Sequence, residues 1–314
     1  MKTISVLTPC FNEEENVREV YRQVRDVFAG LEGGADAPYD YEHVFIDNAS
    51  GDRTVEILRE LAAGDQRVKV IVNTRNFGHI RSPYYGILQC RGDAVIPLVA
   101  DLQDPPGMIV DFLRQWEEGY KIVVAVKTDS GENRLTFAAR RAFYRLIDRL
   151  SEIKLVQNFT GFGLYDQVVV QKLREIDDPY PYFRGLICDL GYDRAEVPYT
   201  QPRRERGLTK NNFYTLYDMA MLGITNHSKV PLRLATMTGF GMALLSLLVA
   251  VGYLVYKLVF WKNFEVGIAP LVIGLFFFAS VQLIFIGILG EYIGSIHTQV
   301  LKRPLVVEKE RINF

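Results

Sequence analysis

The 314-residue sequence lacks the glycine-rich phosphate-binding motifs of the commonest nucleotide enzymes. Neither GxxxxGK[ST] nor GxGxxG occurs, which argues against a Walker-type NTPase and against a dinucleotide oxidoreductase. The sequence also lacks an excess of either charge, because 36 Lys and Arg residues stand against 37 Asp and Glu residues. This balance gives no reason to expect a nucleic-acid partner.

Cysteine and histidine are scarce. The three cysteines, Cys10, Cys90 and Cys188, are scattered without metal-ligand spacing, and the four histidines are well separated. We therefore predict no zinc site and expect reduced thiols in a cytoplasmic domain. Because Met1 leads almost directly into an apolar strand pattern, we also expect no signal peptide.

Charged residues are missing from two long stretches near the C-terminus, Leu234–Tyr256 and Gly267–Gly290. Each stretch is long enough to cross a hydrocarbon core of roughly 30 Å as a helix. We therefore predict a hairpin of two transmembrane helices at about 234–257 and 267–291. Lysine and arginine are more frequent outside the hairpin than in its loop, so the positive-inside rule places both termini in the cytoplasm.

The first part of the chain alternates between short apolar runs and helical patterns. This alternation is typical of βαβ units and predicts a mostly parallel sheet. The four apolar runs are Thr3–Thr8, Tyr41–Ile46, Val68–Val72 and Ala94–Ala100.

Polar side chains follow each of these predicted strands. They are Asn12 and Glu13, Asp47 and Asn48, Arg75 and Asn76, and Asp101 and Gln103. Helix capping explains any one of these pairs without a function, and Asn12 is a candidate N-cap for the helix that follows it. Ligands of open parallel sheets bind beyond the carboxyl ends of the strands, so four converging pairs predict a nucleotide site.

The segment Asp101-Leu-Gln103-Asp104 ends the fourth predicted strand. Its carboxylate and amide oxygens suit Mg²⁺ or Mn²⁺ that takes further ligands from water and substrate phosphates. An Asx-type turn that merely caps the next helix is an equally good explanation from these residues alone.

Four motifs, PCFNEEENV, DNASGDRT, RNFG and ADLQDPP, together resemble the family-2 glycosyltransferases of the GT-A fold. The resemblance is closest to their polyprenyl-phosphate branch, which includes dolichyl-phosphate mannose synthase and bacterial bactoprenol glucosyltransferases. It covers nearly the whole chain, because a C-terminal membrane hairpin is typical of the bacterial members. It implies inverting transfer of a sugar from a nucleotide diphosphate to a polyprenyl phosphate at the cytoplasmic membrane face.

By this resemblance, Pro9, Phe11, Glu13 and Asp47 would hold the nucleotide, and Asn76 joins them by its place at a strand end. Asp101 and Gln103 would bind Mg²⁺ or Mn²⁺ and act in catalysis, with Asp104 as a supporting group. Many relatives carry DxD here, whereas this chain has Val99 at the earlier aspartate position.

A second departure concerns the catalytic base. Relatives have an aspartate, proposed as the base, where this chain has Gly161 in NFTGFGLYD. A phosphate monoester has a second pKa of about 6 and is already largely ionised at neutral pH, so its own oxygen can be the nucleophile. Asp166 is a weaker catalytic candidate that positions the phosphate, or else it is the N-cap of a helix over Gln167–Ile176.

Two basic segments follow. Arg134 and Arg140 are predicted to clamp the acceptor phosphate from a helix at the membrane surface, and a solvated helix face is the alternative. Arg204, Arg206 and Lys210 are predicted to stabilise the departing diphosphate from a flexible loop. The alternative for this second group is a juxtamembrane cluster attracted to anionic lipid.

We therefore expect an α/β domain of the GT-A type over 1–210, an interfacial amphipathic helix over 211–231, and the hairpin with a cytoplasmic tail over 232–314. The expected protein is a multi-pass enzyme of the bacterial inner membrane whose catalytic domain faces the cytoplasm. UDP-glucose is the first choice of donor. Two alternative functions remain open. The protein is a family-2 transferase with another acceptor, or it is a membrane-anchored protein that binds a nucleotide sugar without turnover. The oligomeric state is left open, a homo-oligomer included.

Overall fold

The structure is a computed structural model that describes residues 1–32, 39–128, 156, 158–202, 221–225, 228–260 and 268–314. Five predicted site residues lie outside these ranges, and their roles stay predictions. They are Arg134, Arg140, Arg204, Arg206 and Lys210.

The described chain contains one sheet of eight strands. They are β1 (Lys2–Cys10), β2 (Tyr39–Asp47), β3 (Val68–Asn73), β4 (Ala94–Pro97), β5 (Ile122–Lys127), β6 (Phe159–Asp166), β7 (Arg194–Tyr199) and β8 (Glu308–Ile312). Their spatial order is β7-β5-β6-β4-β1-β2-β3-β8. Strand β1 pairs in parallel with β2 and β4, β2 with β3, and β5 with β7. Strand β6 is antiparallel to β4 and β5, and β8 is antiparallel to β3. The prediction of an α/β fold with a mostly parallel sheet is confirmed.

Helices cover both faces of this sheet. They are α1 (Val17–Glu32), α2 (Thr54–Gly64), α3 (Gly78–Gln89), α4 (Met108–Glu117), α5 (Gln167–Ile176) and α6 (Phe183–Asp189). Successive strand residues face opposite ways. Val6 and Phe45 accordingly pack in the core with α1, α2 and α4, whereas Leu7 and Ile46 pack in the core with α3, α5 and α6. Burial on both faces explains why these strands read as continuous apolar runs.

Two further helices, α7 (Val230–Val259) and α8 (Ile268–Leu301), are long and apolar enough to cross a membrane. Helix α8 continues ten residues beyond 291, where the uncharged stretch had set the end of the predicted span. This extension contacts the rest of the chain, since Tyr292 Oη donates to Ser228 O at 2.6 Å and Gln299 Nε2 donates to Asp178 Oδ1 at 2.8 Å. The C-terminal end of α8 thus contacts the α/β domain through Asp178 and the segment before α7 through Ser228.

Strand β8, at the C-terminus, returns to the sheet and pairs with β3. Side chains reinforce the pairing: Asn313 Nδ2 donates to the carbonyls of Ala62 and Val68, and Arg59 forms an ion pair with Glu310. From the sequence, these residues were predicted only to form part of a C-terminal tail. Their charged pattern conceals a strand because an edge strand keeps one side in solvent and tolerates charge there.

A buried histidine lies within β2. His43 Nε2 is 2.9 Å from Thr8 Oγ1, and His43 Nδ1 has no hydrogen-bond partner among the described residues. Burial lowers the pKa of His43 from 6.5 to about 3, although the charge of Asp65 opposes the shift. The imidazole is therefore neutral in the folded protein at neutral and mildly acidic pH.

This histidine makes stability sensitive to acid. Below about pH 6.5 the unfolded chain protonates the imidazole and the folded chain does not, so acid favours unfolding. Between about pH 6.5 and pH 4.5, His43 alone is expected to remove roughly 2 kcal/mol of the free energy of unfolding. We expect His43→Gln to flatten the pH dependence of the thermal midpoint in detergent over this interval. Parallel curves for the two proteins would contradict the assignment.

Candidate functional site

The carboxyl ends of β1, β2, β3 and β4 meet at one edge of the sheet, because these four strands run parallel. The loops that follow them therefore share one crevice, as the strand-end pattern predicted. Of the predicted nucleotide residues, Pro9 lies in β1, Phe11 and Glu13 follow β1, Asp47 ends β2, and Asn76 follows β3. The structure thus gathers these five residues at one edge, and their contacts with a nucleotide stay predictions.

The loops after β1 and β2 are hydrogen-bonded to each other. Asn12 N donates to Ser50 Oγ, and Gly51 N donates to Asn12 Oδ1, both at 2.8 Å. Asn12 has a positive φ of 55° and lies well before α1, which begins at Val17, so the N-cap interpretation of Asn12 is wrong. Its side chain instead links the loop after β1 to the loop after β2.

Asp47 is fully buried at the end of β2. Burial raises the pKa of this carboxyl, while hydrogen bonds from the hydroxyl and backbone N–H of Ser50 offset part of the increase. Next to it, Asn48 Nδ2 donates to Asn76 Oδ1 at 2.9 Å, and Asn48 Oδ1 accepts from Phe77 N. Asn48 therefore ties the β2 loop to the β3 loop, a role that the sequence analysis did not separate from capping.

The segment after β4 carries the predicted metal ligands. Gln103 N donates to Asp101 Oδ1 at 3.1 Å, and Leu102 between them has a positive φ of 59°. This is an Asx-type turn, but α4 begins only at Met108, so the turn does not cap that helix. Both residues are partly exposed at the crevice.

The described residues contain no group of three or more His, Cys, Asp and Glu residues that could hold a metal by themselves. One carboxylate and one amide nevertheless fit a hard divalent cation that keeps water and takes its other ligands from a substrate diphosphate. The donor set lacks the nitrogen and sulfur ligands that zinc prefers.

Asp104 is more deeply placed than the sequence suggested. Its side chain is almost completely buried, and Oδ1 accepts a hydrogen bond from Tyr199 Oη at 3.0 Å. Burial raises the pKa of Asp104 to about 6. The bond to Tyr199, at the end of β7, anchors the segment that carries Asp101 and Gln103.

Asp166 lies at the wrong edge of the sheet for catalysis. It pairs with Ala94, the first residue of β4, whereas Asp101 lies beyond the last residue of that strand. Its carboxylate caps α5 by accepting from Val168 N, and it also accepts from Trp116 Nε1 at 2.8 Å and Lys121 Nζ at 2.9 Å. Burial alone would raise its pKa, but these hydrogen bonds lower the pKa below the usual value. Of the two interpretations, the N-cap is therefore correct and the catalytic role is withdrawn.

Gly161 lies at the crevice end of β6 with a positive φ of 104°. Asp104 is the one carboxylate among the described residues that line the cavity beside it. This cavity has a volume of about 420 Å³ and extends from Pro9 and Val99, at the ends of β1 and β4, to Arg184 and Leu222.

The profile of "Glycosyl transferase family 2" matches residues 5–174. The SfII prophage-derived bactoprenol glucosyl transferase of Shigella flexneri is 35% identical over 308 residues, covering 98% of this chain and 97% of that protein. The glycosyltransferase YkcC of Bacillus subtilis is 33% identical over 304 residues, covering 96% and 92%. The prophage bactoprenol glucosyl transferase homolog of Escherichia coli is 33% identical over 307 residues, covering 98% of each chain.

Proposed function

The chain belongs to glycosyl transferase family 2, and from this premise we propose that it transfers a sugar from a nucleotide sugar to a polyprenyl phosphate. Its α/β domain has the GT-A fold, and the protein is a glycosyltransferase. The observation that carries the proposal is the match to bactoprenol glucosyl transferases over 98% of the chain, which includes both apolar helices. A nucleotide crevice and two apolar helices in one chain suit a transferase with a lipid acceptor.

The donor proposed first is UDP-glucose, because relatives that are 35% and 33% identical over 98% of the chain are named as bactoprenol glucosyl transferases. Its nucleotide would lie against the cross-linked loops after β1 and β2, with Asp47 and Glu13 as acceptors of hydrogen bonds. Two hydrogen bonds hold Glu13 in position for this role. Its backbone N–H donates to Thr54 Oγ1 at 2.9 Å, and its carboxylate accepts from Asn16 Nδ2 at 2.7 Å. Both contacts fix the loop before any ligand binds.

The chemistry proposed is direct displacement at the anomeric carbon. An oxygen of the acceptor phosphate attacks, the bond to the nucleoside diphosphate breaks, and the anomeric configuration inverts. Asp101 and Gln103 would hold Mg²⁺ or Mn²⁺, which when bound neutralises charge on the leaving diphosphate. The bond from Tyr199 to Asp104 holds the segment of Asp101 and Gln103 in place. Arg204, Arg206 and Lys210 are predicted to assist departure of the diphosphate.

The proposed location is the inner membrane of a bacterium. The two apolar helices give the chain a membrane association, and the flanking lysines and arginines favour an orientation with the α/β domain in the cytoplasm. On that side, Arg134 and Arg140 are predicted to meet the phosphate of the acceptor.

The experiment that tests this function measures release of the nucleoside diphosphate. The full chain in detergent is incubated with Mn²⁺ or Mg²⁺ and a panel of nucleotide sugars, with and without undecaprenyl phosphate. We expect one sugar nucleotide to be consumed at least ~10-fold faster when the lipid phosphate is present, because turnover needs the nucleophile. Consumption that is independent of the lipid, or stimulated only by another acceptor, would contradict the proposal.

A further inference from the structure

The cavity beside Gly161 lies between the nucleotide crevice and the ends of the two membrane helices. Its far wall includes Leu222, on the segment that precedes α7, and Tyr182, whose ring packs against Gly223. A Cβ atom on Gly223 would lie only 3.4 Å from the Tyr182 ring. The chain just before this wall is also held by α8, through the bond from Gln299 to Asp178. One part of the cavity lining is therefore formed by the segment that precedes α7, and another by residues at the ends of β1 and β4.

The wall formed around α3 and α6 is apolar and firmly packed. The ring of Phe183 stands edge-on to Tyr165, with centroids 5.1 Å apart, and edge-on to Tyr84, with centroids 6.3 Å apart. Other apolar residues of the lining are Ile80, Pro83, Pro181 and Leu222. Such a wall suits a hydrocarbon chain better than a sugar or a base, which require polar partners.

Within this lining, one side chain carries a fixed positive charge. Arg184 is the one lysine or arginine among the described residues that line the cavity. Its guanidinium lies over the Tyr182 ring at 5.3 Å, and Nη1 donates to Phe159 O at 3.3 Å. These contacts orient the group and use one of its five N–H donors, so it keeps the geometry to bind two oxygens of a phosphate.

We propose that this cavity binds the phosphate and first isoprene units of the acceptor lipid, with Arg184 as a phosphate-binding residue. The inference rests on the proposed function, because it names the site for its acceptor. An apolar wall with one arginine matches an apolar chain that ends in a phosphate monoester. The lining also includes Val99 and Asp104, which are close in sequence to the predicted metal ligands Asp101 and Gln103, so the cavity adjoins the proposed donor site.

The test compares KM values for the two substrates. Arg184→Ala is expected to raise the KM for undecaprenyl phosphate by roughly 10- to 100-fold, the loss typical of a hydrogen bond to a charged group. The KM for the nucleotide sugar should change less than about twofold, because that substrate binds at the other end of the crevice. Arg184→Lys keeps the charge but loses the paired N–H donors of the guanidinium. Its KM for undecaprenyl phosphate should therefore lie between the values of the wild type and Arg184→Ala. The matched control is Arg174→Ala, whose guanidinium also binds backbone carbonyls, those of Leu88 and Cys90, but lies outside the cavity.

Competition experiments identify what the arginine recognises. Geranylgeranyl phosphate should inhibit the wild type and lose most of its potency against Arg184→Ala, whereas geranylgeraniol should inhibit both proteins equally. Inorganic phosphate should inhibit neither at the same concentration, because it lacks the apolar chain. Strong inhibition by inorganic phosphate would contradict a lipid site.

The outcomes separate the two proposals. If the wild type transfers sugar to the lipid but Arg184→Ala has an unchanged lipid KM, the acceptor site is wrong and the function stands. If the KM for both substrates rises equally, Arg184 acts on the fold and the acceptor site is again wrong. If the wild type transfers no sugar to the lipid phosphate, the proposed function fails and this inference fails with it.

Discussion

Replacing Asp101 by asparagine lowers the rate of sugar transfer by about 100- to 1,000-fold, the loss expected when one preorganised electrostatic group is removed from a reaction that develops negative charge. Asp101 is the one carboxylate in the proposed ligand pair of Asp101 and Gln103. The asparagine keeps the size of the side chain and can still accept the hydrogen bond from Gln103 N. The turn is therefore expected to survive while the charge is lost.

The measurement is the initial rate of transfer as a function of Mn²⁺ concentration, together with binding of the nucleoside diphosphate with and without Mn²⁺. Asp101→Asn should bind the nucleotide equally weakly in both conditions, and the wild type should bind it more tightly with Mn²⁺. Asp111→Asn is the matched control, since Asp111 lies on α4 in an exposed ion pair with Arg114 and should change little. Full transfer activity in Asp101→Asn would remove Asp101 from the metal site.

Replacing Gly163 by alanine is expected to destabilise the domain by at least about 4 kcal/mol, in the range reserved for severe steric conflict. A Cβ at this position would lie 2.2 Å from the carbonyl oxygen of Val123 on the neighbouring strand. The carbonyl belongs to the backbone of β5, and the added Cβ would be attached directly to the backbone of β6. In this strand pair, Gly163 lies opposite Val124. The clash cannot be relieved by rotating a side chain, so β5 and β6 must separate.

The thermal midpoint in detergent and the yield of monodisperse protein measure this effect. Gly30→Ala is the control, because Gly30 lies in α1 with no heavy atom within 4 Å of its added Cβ. That substitution should be neutral or slightly stabilising, since alanine favours helix more than glycine does. A Gly163→Ala protein with the wild-type midpoint would show that β5 and β6 pair differently from the arrangement described.

The strand-end crevice could be predicted from sequence because its signals are local. Each parallel strand is a continuous apolar run, and the polar residues that follow it must lie at the same edge. The two long apolar helices could also be predicted from the sequence, because Leu234–Tyr256 and Gly267–Gly290 contain no charged residue. Position along the chain was enough for Asp47, Asn76 and Asp101 to be placed together.

Other features depend on contacts between distant residues and left no local signal. Asp104 was predicted only as a group that supports the metal ligands, and its burial is explained by the hydrogen bond from Tyr199, which is distant in sequence. Asp166 was a weaker catalytic candidate, but it ends β6, a strand that was not predicted and that runs antiparallel to β4, so Asp166 lies at the opposite edge of the sheet. The direction of that strand could not be read from its composition.

The C-terminal strand was missed for a related reason. Residues 308–312 carry four charges, and their pairing with β3 is recognisable only from the tertiary structure, in which the chain returns to the sheet after α8. Likewise, α8 continues past Glu291 because its polar end contacts Asp178 and Ser228, which a hydropathy pattern does not report. In both cases the local sequence pattern predicts that regular structure has ended, whereas contacts with distant residues extend it.

The measurement that tests the central claim most directly follows a radiolabelled sugar into lipid. The purified chain is incubated in detergent with Mn²⁺, undecaprenyl phosphate and each of several labelled nucleotide sugars, and the organic phase is counted and analysed by mass spectrometry. The account predicts metal-dependent label in one lipid product whose mass equals that of the polyprenyl phosphate plus one sugar, and none when undecaprenol replaces the phosphate. Label that stays in the aqueous phase for every donor, while a nucleotide still binds, would contradict it.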